Sequence, residues 1–206
     1  MWFSIAVAIF VGYLLGNING AVVASRMMND DVRNHGSGNA GLTNFIRNYG
    51  AGRALLVILI DAGKAVLGCL IGGMLLRVYG RFQEGAALGG AAVMLGHAYP
   101  ALLGFRGGKG ILSGLFIALM IDWRIAAIIL AVFAVAYFFT QYVSLGSVLA
   151  AAAFGICFVV FHNDNVTVML CGVFMSALAV FMHRQNIVRL LTGKERKTNL
   201  FKKNKE

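Results

Sequence analysis

Charged residues are scarce in this sequence. Only 13% of its 206 residues are Asp, Glu, Lys or Arg, whereas 59% are hydrophobic, and the mean hydropathy is +0.78. Because a soluble globular domain carries about 25% charged residues, this composition excludes a water-soluble protein. Aromatic residues make up 11% of the chain and lie within long apolar runs, which excludes a disordered or fibrous chain. The composition therefore predicts an integral membrane protein.

Cysteine and proline are also rare. The three cysteines, Cys69, Cys157 and Cys171, lie in apolar stretches without a C-x-x-C pair, so we interpret them as core residues and predict no metal site. The one proline, Pro100, is predicted to end or kink an apolar segment. The N-terminus lacks the basic stretch of a secretion signal, and its apolar run is interpreted as the first spanning helix.

Long apolar segments alternate with short polar ones along the chain. Seven segments are predicted to form helices: 3–24, 54–76, 85–104, 110–121, 125–140, 144–162 and 166–182. The fourth and fifth are shorter than the roughly 20 residues that a perpendicular span needs, which leaves six spans as the alternative. Gly12, Gly16 and Gly20 recur every four residues and predict close helix packing. The predicted fold is an all-α integral membrane protein with about seven transmembrane helices, in a single domain over residues 1–206.

The positions of the basic residues predict the orientation. With seven spans, one side of the membrane receives Arg77, Arg81 and Arg124, and the other receives most of the remaining Lys and Arg, including the basic run over 184–205. By the positive-inside rule the heavily basic side is cytoplasmic, so the N-terminus is outside and the C-terminus is cytoplasmic. The net charge of +10 is then explained by topology and by anionic lipid headgroups. Membrane lipids, and not nucleic acid, are the predicted partners.

Three polar segments fall on this predicted cytoplasmic face, over residues 35–49, 96–110 and 183–197. Their convergence on one surface is the main functional observation in the sequence. Two further ionisable residues, Asp61 and Lys64, lie three residues apart inside the second apolar segment. We predict that they pair with each other or with polar groups of the helix bundle, with a proton relay as the alternative.

The first polar segment contains G-S-G-N-A-G from Gly36 to Gly41, which matches G-x-G-x-x-G. It follows a membrane helix and not a strand, so a dinucleotide-binding fold is excluded. Glycines nevertheless let backbone N–H groups surround an anion. Hydroxyl, amide and guanidinium donors follow in the same segment, at Ser37, Thr43, Asn44 and Arg47. The segment predicts a phosphate site, and a flexible connector between helices is the alternative.

The other two segments also offer cations. In G-F-R-G-G-K-G over 104–110 the Walker spacing fails, yet the glycine-flanked Lys109 predicts a second anion site. The alternative is that Arg106 and Lys109 simply reach lipid headgroups. In the third segment, His183, Asn186 and Arg189 share one helical face, and His183 can donate to an anion or accept a proton near neutral pH. A basic helix resting on headgroups is the alternative there.

Several catalytic patterns are absent. No serine lies in G-x-S-x-G, none of the four histidines has an Asp five positions later, and the carboxylates are too scattered for a metal cluster. An anion or organophosphate transporter is one alternative to an enzyme, but the polar motifs cluster on one face and no internal repeat is seen. A structural membrane subunit would leave this polar clustering unexplained.

Four motifs occur in order along nearly the whole chain: G-S-G-N-A-G-L-T-N-F-I-R from Gly36, G-H-A-Y-P…F-R-G-G-K-G from Gly96, Y-V-S-L-G-S from Tyr142, and H-R-Q-N-I-V-R-L-L-T-G-K-E-R-K from His183. Together they resemble the bacterial acyl-phosphate:glycerol-3-phosphate acyltransferases, the PlsY family. The resemblance implies transfer of a fatty acyl group from acyl phosphate to the sn-1 hydroxyl of glycerol 3-phosphate. The products would be lysophosphatidic acid and phosphate, in the first acylation of phospholipid synthesis.

The resemblance also implies a bacterial cytoplasmic (inner) membrane enzyme whose active site faces the cytosol, without a cofactor. Acyl phosphate and glycerol 3-phosphate are the implied substrates. The enzyme that produces acyl phosphate and the acyltransferase of the next step are further candidate partners.

The site residues follow from the matching motif positions. The implied catalytic residues are Ser37, Lys109, His183 and Asn186. The implied substrate-binding residues are Gly36, Gly38, Asn39, Gly41, Thr43, Asn44, Arg47, Gly107, Gly108, Gly110, Ser144, Ser147 and Glu195. Acyl phosphate has a good leaving group, so the enzyme must position two phosphorylated substrates more than supply a covalent nucleophile. We expect Lys109 and Arg47 to neutralise phosphate, Ser37 and Asn186 to orient it, and His183 to assist the hydroxyl or bind its phosphate.

Overall fold

The protein is all-helical over residues 1–197, which are the residues that the computed structural model describes. The end of the predicted domain, 198–206, lies outside them, with Lys202, Lys203 and Lys205 of the basic run. Within 1–197 the α-helices are α1 (Trp2–Gly16), α2 (Gly20–Arg26), α3 (Leu42–Tyr49), α4 (Ala54–Arg77), α5 (Phe82–Ala98), α6 (Ile111–Ile121), α7 (Trp123–Thr140), α8 (Val143–Phe161), α9 (Val166–Met182) and α10 (Arg184–Leu191). This range contains no strand, as the all-α prediction requires.

Each predicted apolar segment contains at least one helix, but not every segment is long enough to span a bilayer. The stretches in residues 1–197 that meet the length and hydropathy requirements are five: Trp2–Arg26, Ala51–Arg77, Phe82–Leu103, Trp123–Thr140 and Val143–Phe161. A sixth results if α9 and α10, which meet at a 54° bend, count as one span. Helix α6 is about 16 Å long at 1.5 Å per residue, against about 30 Å of hydrocarbon. The count of seven spans and the orientation therefore stay predictions.

The first apolar segment is broken, which corrects the prediction of one helix over 3–24. Helix α1 ends at Gly16 and α2 begins at Gly20, and Asn19 caps α2 by accepting from the Val22 N–H at 3.1 Å. The Asn17 amide donates to the Tyr13 carbonyl at 2.7 Å. Because asparagine side chains compete for backbone hydrogen bonds, they favour a helix end over helix continuation.

Helix α5 lies at the centre of the bundle and packs against α1, α4, α6 and α9. Glycines allow this close approach, as the four-residue spacing predicted. A Cβ at Gly12 would lie 2.7 Å from the Gly89 carbonyl oxygen, and one at Gly16 would collide with the Val93 carbonyl oxygen. The two backbones are thus in direct contact, which any larger side chain at these positions would prevent.

Two smaller predictions are also confirmed. The thiols of Cys69, Cys157 and Cys171 are free and buried in the main apolar cluster. Helix α5 ends at Ala98, two residues before Pro100, and a 3₁₀ turn over Ala101–Leu103 follows. The chain between α5 and α6 therefore forms a separate loop, which carries Lys109.

Candidate active site

The first polar segment is a loop wrapped around one buried amide. Gly36 and Gly38 have φ of +60° and +69°, a conformation that glycine adopts without strain. The Asn44 side-chain oxygen accepts from the Ser37 N–H at 3.0 Å. Its side-chain nitrogen, at 3.0–3.1 Å, contacts three backbone oxygens, those of Val32, His35 and Asn39. The amide of Asn44 is thus engaged by the loop itself and fixes its shape.

The remaining predicted residues of this segment lie around the same loop. Gly41 is the N-terminal cap of α3. Ser37 and Arg47 are exposed, and Thr43 and Asn39 are half-buried. The segment therefore exposes the Ser37 hydroxyl and the Arg47 guanidinium, while hydrogen bonds from buried Asn44 hold the loop backbone.

We expect Asn44→Ala to loosen this loop. Removing the amide leaves one N–H and three carbonyls without their partner, at a cost of about 1–3 kcal/mol. Hydrogen exchange of the amides over 35–41 should then accelerate about 10- to 100-fold, since about 1.4 kcal/mol corresponds to a factor of ten. Asn48→Ala is the control, because exposed Asn48 donates to the Asn44 carbonyl at 2.8 Å and to the Asn44 side-chain oxygen at 3.2 Å, so its removal leaves the Asn44 amide and its loop partners in place. Equal exchange in the two variants would contradict the assigned role of Asn44.

The second polar segment touches the first. The Gly108 N–H donates to the His97 carbonyl at 3.0 Å. A Cβ at Gly108 would lie 2.6 Å from the Ala40 carbonyl oxygen and would collide with the His97 ring. Gly107 lies equally close to the His97 backbone, and Gly110, with φ of +80°, caps the start of α6. The two glycine-rich segments therefore meet at the contact of Ala40 with Gly108.

The third polar segment holds the lysine of the second. The Lys109 ammonium donates to the Asn186 side-chain oxygen. The Asn186 amide nitrogen donates to Glu195 at 3.0 Å, and the Arg189 guanidinium donates to the other Glu195 oxygen at 2.7 Å. Asn186 and Arg189 share one face of α10, as their spacing predicted. We call these four side chains, Lys109, Asn186, Glu195 and Arg189, the Lys109 network.

The Lys109 network is cationic near neutral pH. Burial lowers the pKa of Lys109 to about 8, and repulsion from Arg189 and Arg47 acts in the same direction, against the attraction of Glu195. Burial would raise the pKa of Glu195, but hydrogen bonds from Arg189 and Asn186 outweigh it and hold the pKa below its ordinary value. One carboxylate thus faces several cations, and the surplus positive charge favours an anionic ligand.

His183 and two serines complete the predicted set. His183 is buried where α9 meets α10, and its Nδ1 lies 2.7 Å from the Ala179 carbonyl oxygen. Because a carbonyl only accepts, Nδ1 carries the hydrogen, and Nε2 of the neutral ring is left to accept a proton. Ser144 and Ser147 are buried in the first turns of α8. The Ser144 hydroxyl lies near Glu195 but forms no regular hydrogen bond within residues 1–197.

Sequence reasoning missed part of the arrangement. The pairing of Asp61 with Lys64 is confirmed, at 2.8 Å. The Lys64 ammonium also lies 2.7 Å from Nδ1 of His97, a residue of the 96–110 segment to which the sequence assigned no role. Arg189 had been placed on the correct helical face without being assigned to the site. Ionisable residues inside apolar segments were the available signal for the first omission.

Comparison with known proteins identifies the family of this chain. The family model described as glycerol-3-phosphate acyltransferase matches residues 6–193. The chain belongs to this family. The glycerol-3-phosphate acyltransferase of Thermoanaerobacter sp. (strain X514) is 38% identical over 188 residues, which are 91% of this chain and 92% of the relative. That of Clostridioides difficile (strain 630) is 39% identical over 197 residues, 95% and 96% of the two chains.

Solved structures of the acyltransferase family share the fold. The crystal structure of PlsY (YgiH), an integral membrane glycerol 3-phosphate acyltransferase, in its glycerol 3-phosphate form superposes with a TM-score of 0.85 at 31% identity, covering 97% of this chain and all of that one. The lysophosphatidic acid form gives a TM-score of 0.82 at 31% identity over 95% and 96% of the chains. The PlsY resemblance drawn from the motifs is confirmed, and the chain is a multi-pass membrane acyltransferase that acts in phospholipid synthesis.

Proposed function

We propose that this acyltransferase uses acyl phosphate as donor and the sn-1 hydroxyl of glycerol 3-phosphate as acceptor, and forms lysophosphatidic acid and phosphate. The observation that carries the proposal is the junction of the two glycine-rich segments at Ala40 and Gly108, beside the Lys109 network. Two phosphorylated substrates need two groups of donors, and the first and second segments supply one each. Structures of the similar PlsY with glycerol 3-phosphate and with lysophosphatidic acid support this substrate and product.

The proposed roles follow the charges. Lys109 and Arg47, which interact electrostatically with each other, neutralise substrate phosphates. Ser37 and Asn186 orient the phosphates, Asn186 by holding the Lys109 ammonium. The glycines of both segments and the α8 serines shape the binding surface. Such preorganised donors lower a barrier without reorganising during the reaction.

The reaction itself is a direct displacement. The sn-1 hydroxyl oxygen attacks the acyl carbonyl carbon, the new ester C–O bond forms, and the bond from carbonyl carbon to phosphate oxygen breaks. The electron pair of that bond leaves with the phosphate, and the hydroxyl proton is transferred to the released phosphate, which leaves as hydrogen phosphate. Neutral His183 has Nε2 available to accept a hydrogen bond from the attacking hydroxyl, because Nδ1 donates to Ala179.

A small apolar crevice next to the Lys109 network suits the first carbons of the acyl chain. It has a volume of about 30 Å³ and lies beside Gly110 and between α6, α8 and α9, lined among others by Met94, Gly114, Phe154 and Met175. An acyl group whose first carbons lie there would have its carbonyl beside Lys109, the residue before Gly110. Burial of the chain contributes about 0.8 kcal/mol per CH₂ group.

In this proposal residues 1–206 form one acyltransferase domain in a bacterial cytoplasmic membrane, with the site on the cytosolic side. Glycerol 3-phosphate enters from the cytosol, and acyl phosphate arrives from the enzyme that makes it. The acyltransferase of the next step takes the product. Within residues 1–197 no three His, Cys, Asp or Glu side chains are grouped to hold a metal ion, and the proposed mechanism uses none.

The test is phosphate release by the purified protein in detergent or lipid, given palmitoyl phosphate and glycerol 3-phosphate. We expect release that requires both substrates and yields 1-acylglycerol 3-phosphate, with no product from palmitoyl-CoA. Product from palmitoyl-CoA alone would overturn the assigned donor. Absence of both reactions, together with uptake of glycerol 3-phosphate into proteoliposomes, would support a transporter.

The pH profile tests the role of Lys109. Its pKa of about 8 means that the ammonium is present below pH 8 and is lost as pH rises above it. We therefore expect kcat/KM for glycerol 3-phosphate to fall about tenfold per unit above pH 8, since kcat/KM reports the free enzyme. In Lys109→Arg, whose guanidinium stays charged, this alkaline decrease should disappear even if the rate is lower. A decrease that persists in the arginine variant would assign it to another group.

A further inference from the structure

We infer that Asp61, Lys64 and His97 form a positioning cluster, which fixes the first and second polar segments relative to each other and so sets the affinity for phosphorylated substrate. The inference rests on the proposed function for its kinetic consequence. The structural consequence, that both segments depend on one buried ion pair, is independent of it. The three residues belong to α4 and α5 and lie outside the residues assigned to substrate binding.

Lys64 is the centre of the cluster. Its ammonium has three hydrogens and three close acceptors: Asp61 Oδ1 at 2.8 Å, the Ile18 carbonyl at 2.7 Å and His97 Nδ1 at 2.7 Å. Since the ammonium only donates, His97 Nδ1 is the acceptor, and the neutral ring carries its hydrogen on Nε2. The side chains of Asp61, Lys64 and His97 are 2–4% exposed, so losing any one partner leaves a buried polar group unsatisfied.

One arm of the cluster reaches the second segment through His97. The His97 carbonyl accepts from the Gly108 N–H, and the His97 ring lies against the Gly108 α-carbon. Lys109 is the next residue. The orientation of the His97 ring, which Lys64 fixes, therefore determines where the backbone that carries Lys109 can lie.

The other arm reaches the first segment through the break between α1 and α2. Lys64 donates to the Ile18 carbonyl, and Asp61 Oδ1 accepts from the Gly20 N–H at 3.1 Å. Asn19, which lies between Ile18 and Gly20 in the sequence, donates from its side chain to the Ala40 carbonyl at 2.9 Å. Ala40 is the residue that meets Gly108, so the two arms end at the same contact. A Lys64 that served only to join α4 to α5 through His97 would not require this second arm.

The test uses variants of the full-length protein in lipid nanodiscs. Asp61→Asn with Lys64→Met removes both charges, keeps an oxygen to accept from Gly20, and leaves no unpaired buried charge. His97→Asn and His97→Phe form a matched pair that leaves the Asp61–Lys64 pair intact: the asparagine oxygen replaces the Nδ1 acceptor, and the phenyl ring replaces only the bulk. Each is assayed for kcat and for KM for both substrates, for thermal stability, and for hydrogen exchange over 104–110.

The control is Asp122, another buried carboxylate that pairs with a cation. Its carboxylate accepts from the Arg124 guanidinium at 2.6 Å and caps the N-terminus of α7. Asp122 follows the last residue of α6, whereas Gly110 precedes the first, so the two lie at opposite ends of that helix. Asp122→Asn with Arg124→Met removes the same two charges there. We expect this variant to change thermal stability without changing KM or exchange over 104–110.

We expect the Asp61/Lys64 double variant and His97→Phe to raise KM for glycerol 3-phosphate at least tenfold and to accelerate exchange over 104–110, while exchange in α8 stays unchanged. His97→Asn keeps an acceptor for Lys64 but lacks the ring against Gly108, so its KM and exchange should lie between those of the wild type and of His97→Phe. If His97→Phe had the KM of the wild type and its rate of hydrogen exchange over 104–110, the inference would be overturned. This result is decisive even if the double variant does not fold. If the wild type does not acylate glycerol 3-phosphate, the proposed function fails, and the exchange comparison alone decides the positioning role.

Discussion

Lys109→Ala is expected to reduce kcat/KM by about 10²–10³-fold while the protein remains folded, because a preorganised donor aimed at developing charge is worth that much. The Lys109 side chain joins the second polar segment to Asn186 of the third, and it lies beside the apolar crevice. The alanine variant loses both the ammonium and its hydrogen bond to Asn186. Kinetics with both substrates, and a melting curve in the same detergent, measure the effect.

Arg106→Ala is the matched control for Lys109→Ala. Arg106 is a cation in the same loop, three residues away, but it is exposed. An exposed cation that reaches headgroups contributes little to the reaction, so we expect activity within about threefold of the wild type. If both variants lost activity equally, the loop would act as a general attachment to anionic lipid, and Lys109 would have no separate catalytic role.

Gly108→Ala should be the second most damaging substitution, with a loss of about 100-fold. The φ of Gly108 is not positive, so alanine is conformationally allowed and the effect is purely steric. The added carbon would collide with the His97 ring and lie 2.6 Å from the Ala40 carbonyl oxygen. The two segments must then separate, and a displacement of about 1 Å at a site that works by positioning costs about 10² in rate.

Gly63→Ala provides the comparison for Gly108→Ala. It makes the same chemical change in the interior of α4, where an added Cβ meets no atom within 4 Å. We expect native kinetics and equal or higher thermal stability, since alanine favours a helix over glycine by about 1 kcal/mol. If both alanine variants had the KM values of the wild type for both substrates, the close contact of Gly108 with Ala40 would not be needed for substrate binding.

Much of the fold follows from hydropathy. Each predicted apolar segment contains a helix because a helix satisfies the backbone hydrogen bonds within the segment, which a bilayer without water requires. The breaks were less predictable. The segment over 3–24 is apolar apart from Ser4, Tyr13 and two asparagines. Nothing in its composition shows that Lys64, 46 positions after Ile18, donates to the Ile18 carbonyl.

The site was predictable in its residues and less so in their contacts. The spacing of His183, Asn186 and Arg189 placed them on one helical face. In the structure Asn186 and Arg189 lie on α10 and both contact Glu195, whereas His183 is the residue before α10 and contacts Ala179. Asn44 was expected among the donors to phosphate, but its amide is engaged by Ser37 and by loop carbonyls. Whether an amide faces a ligand or its own loop depends on backbone conformation, which a string of glycines leaves open.

The sequence by itself determined the environment, the helices, the family and the three polar segments, because hydropathy, charge distribution and motif order are properties of the chain alone. Only the tertiary structure decided which groups meet: Ala40 with Gly108, Lys109 with Asn186, and Lys64 with His97. The members of each pair are 33 to 77 positions apart in the sequence, too far for a local pattern to show the contact. The close approach of α4 and α5, made possible by glycines on facing surfaces, brings Lys64 to His97.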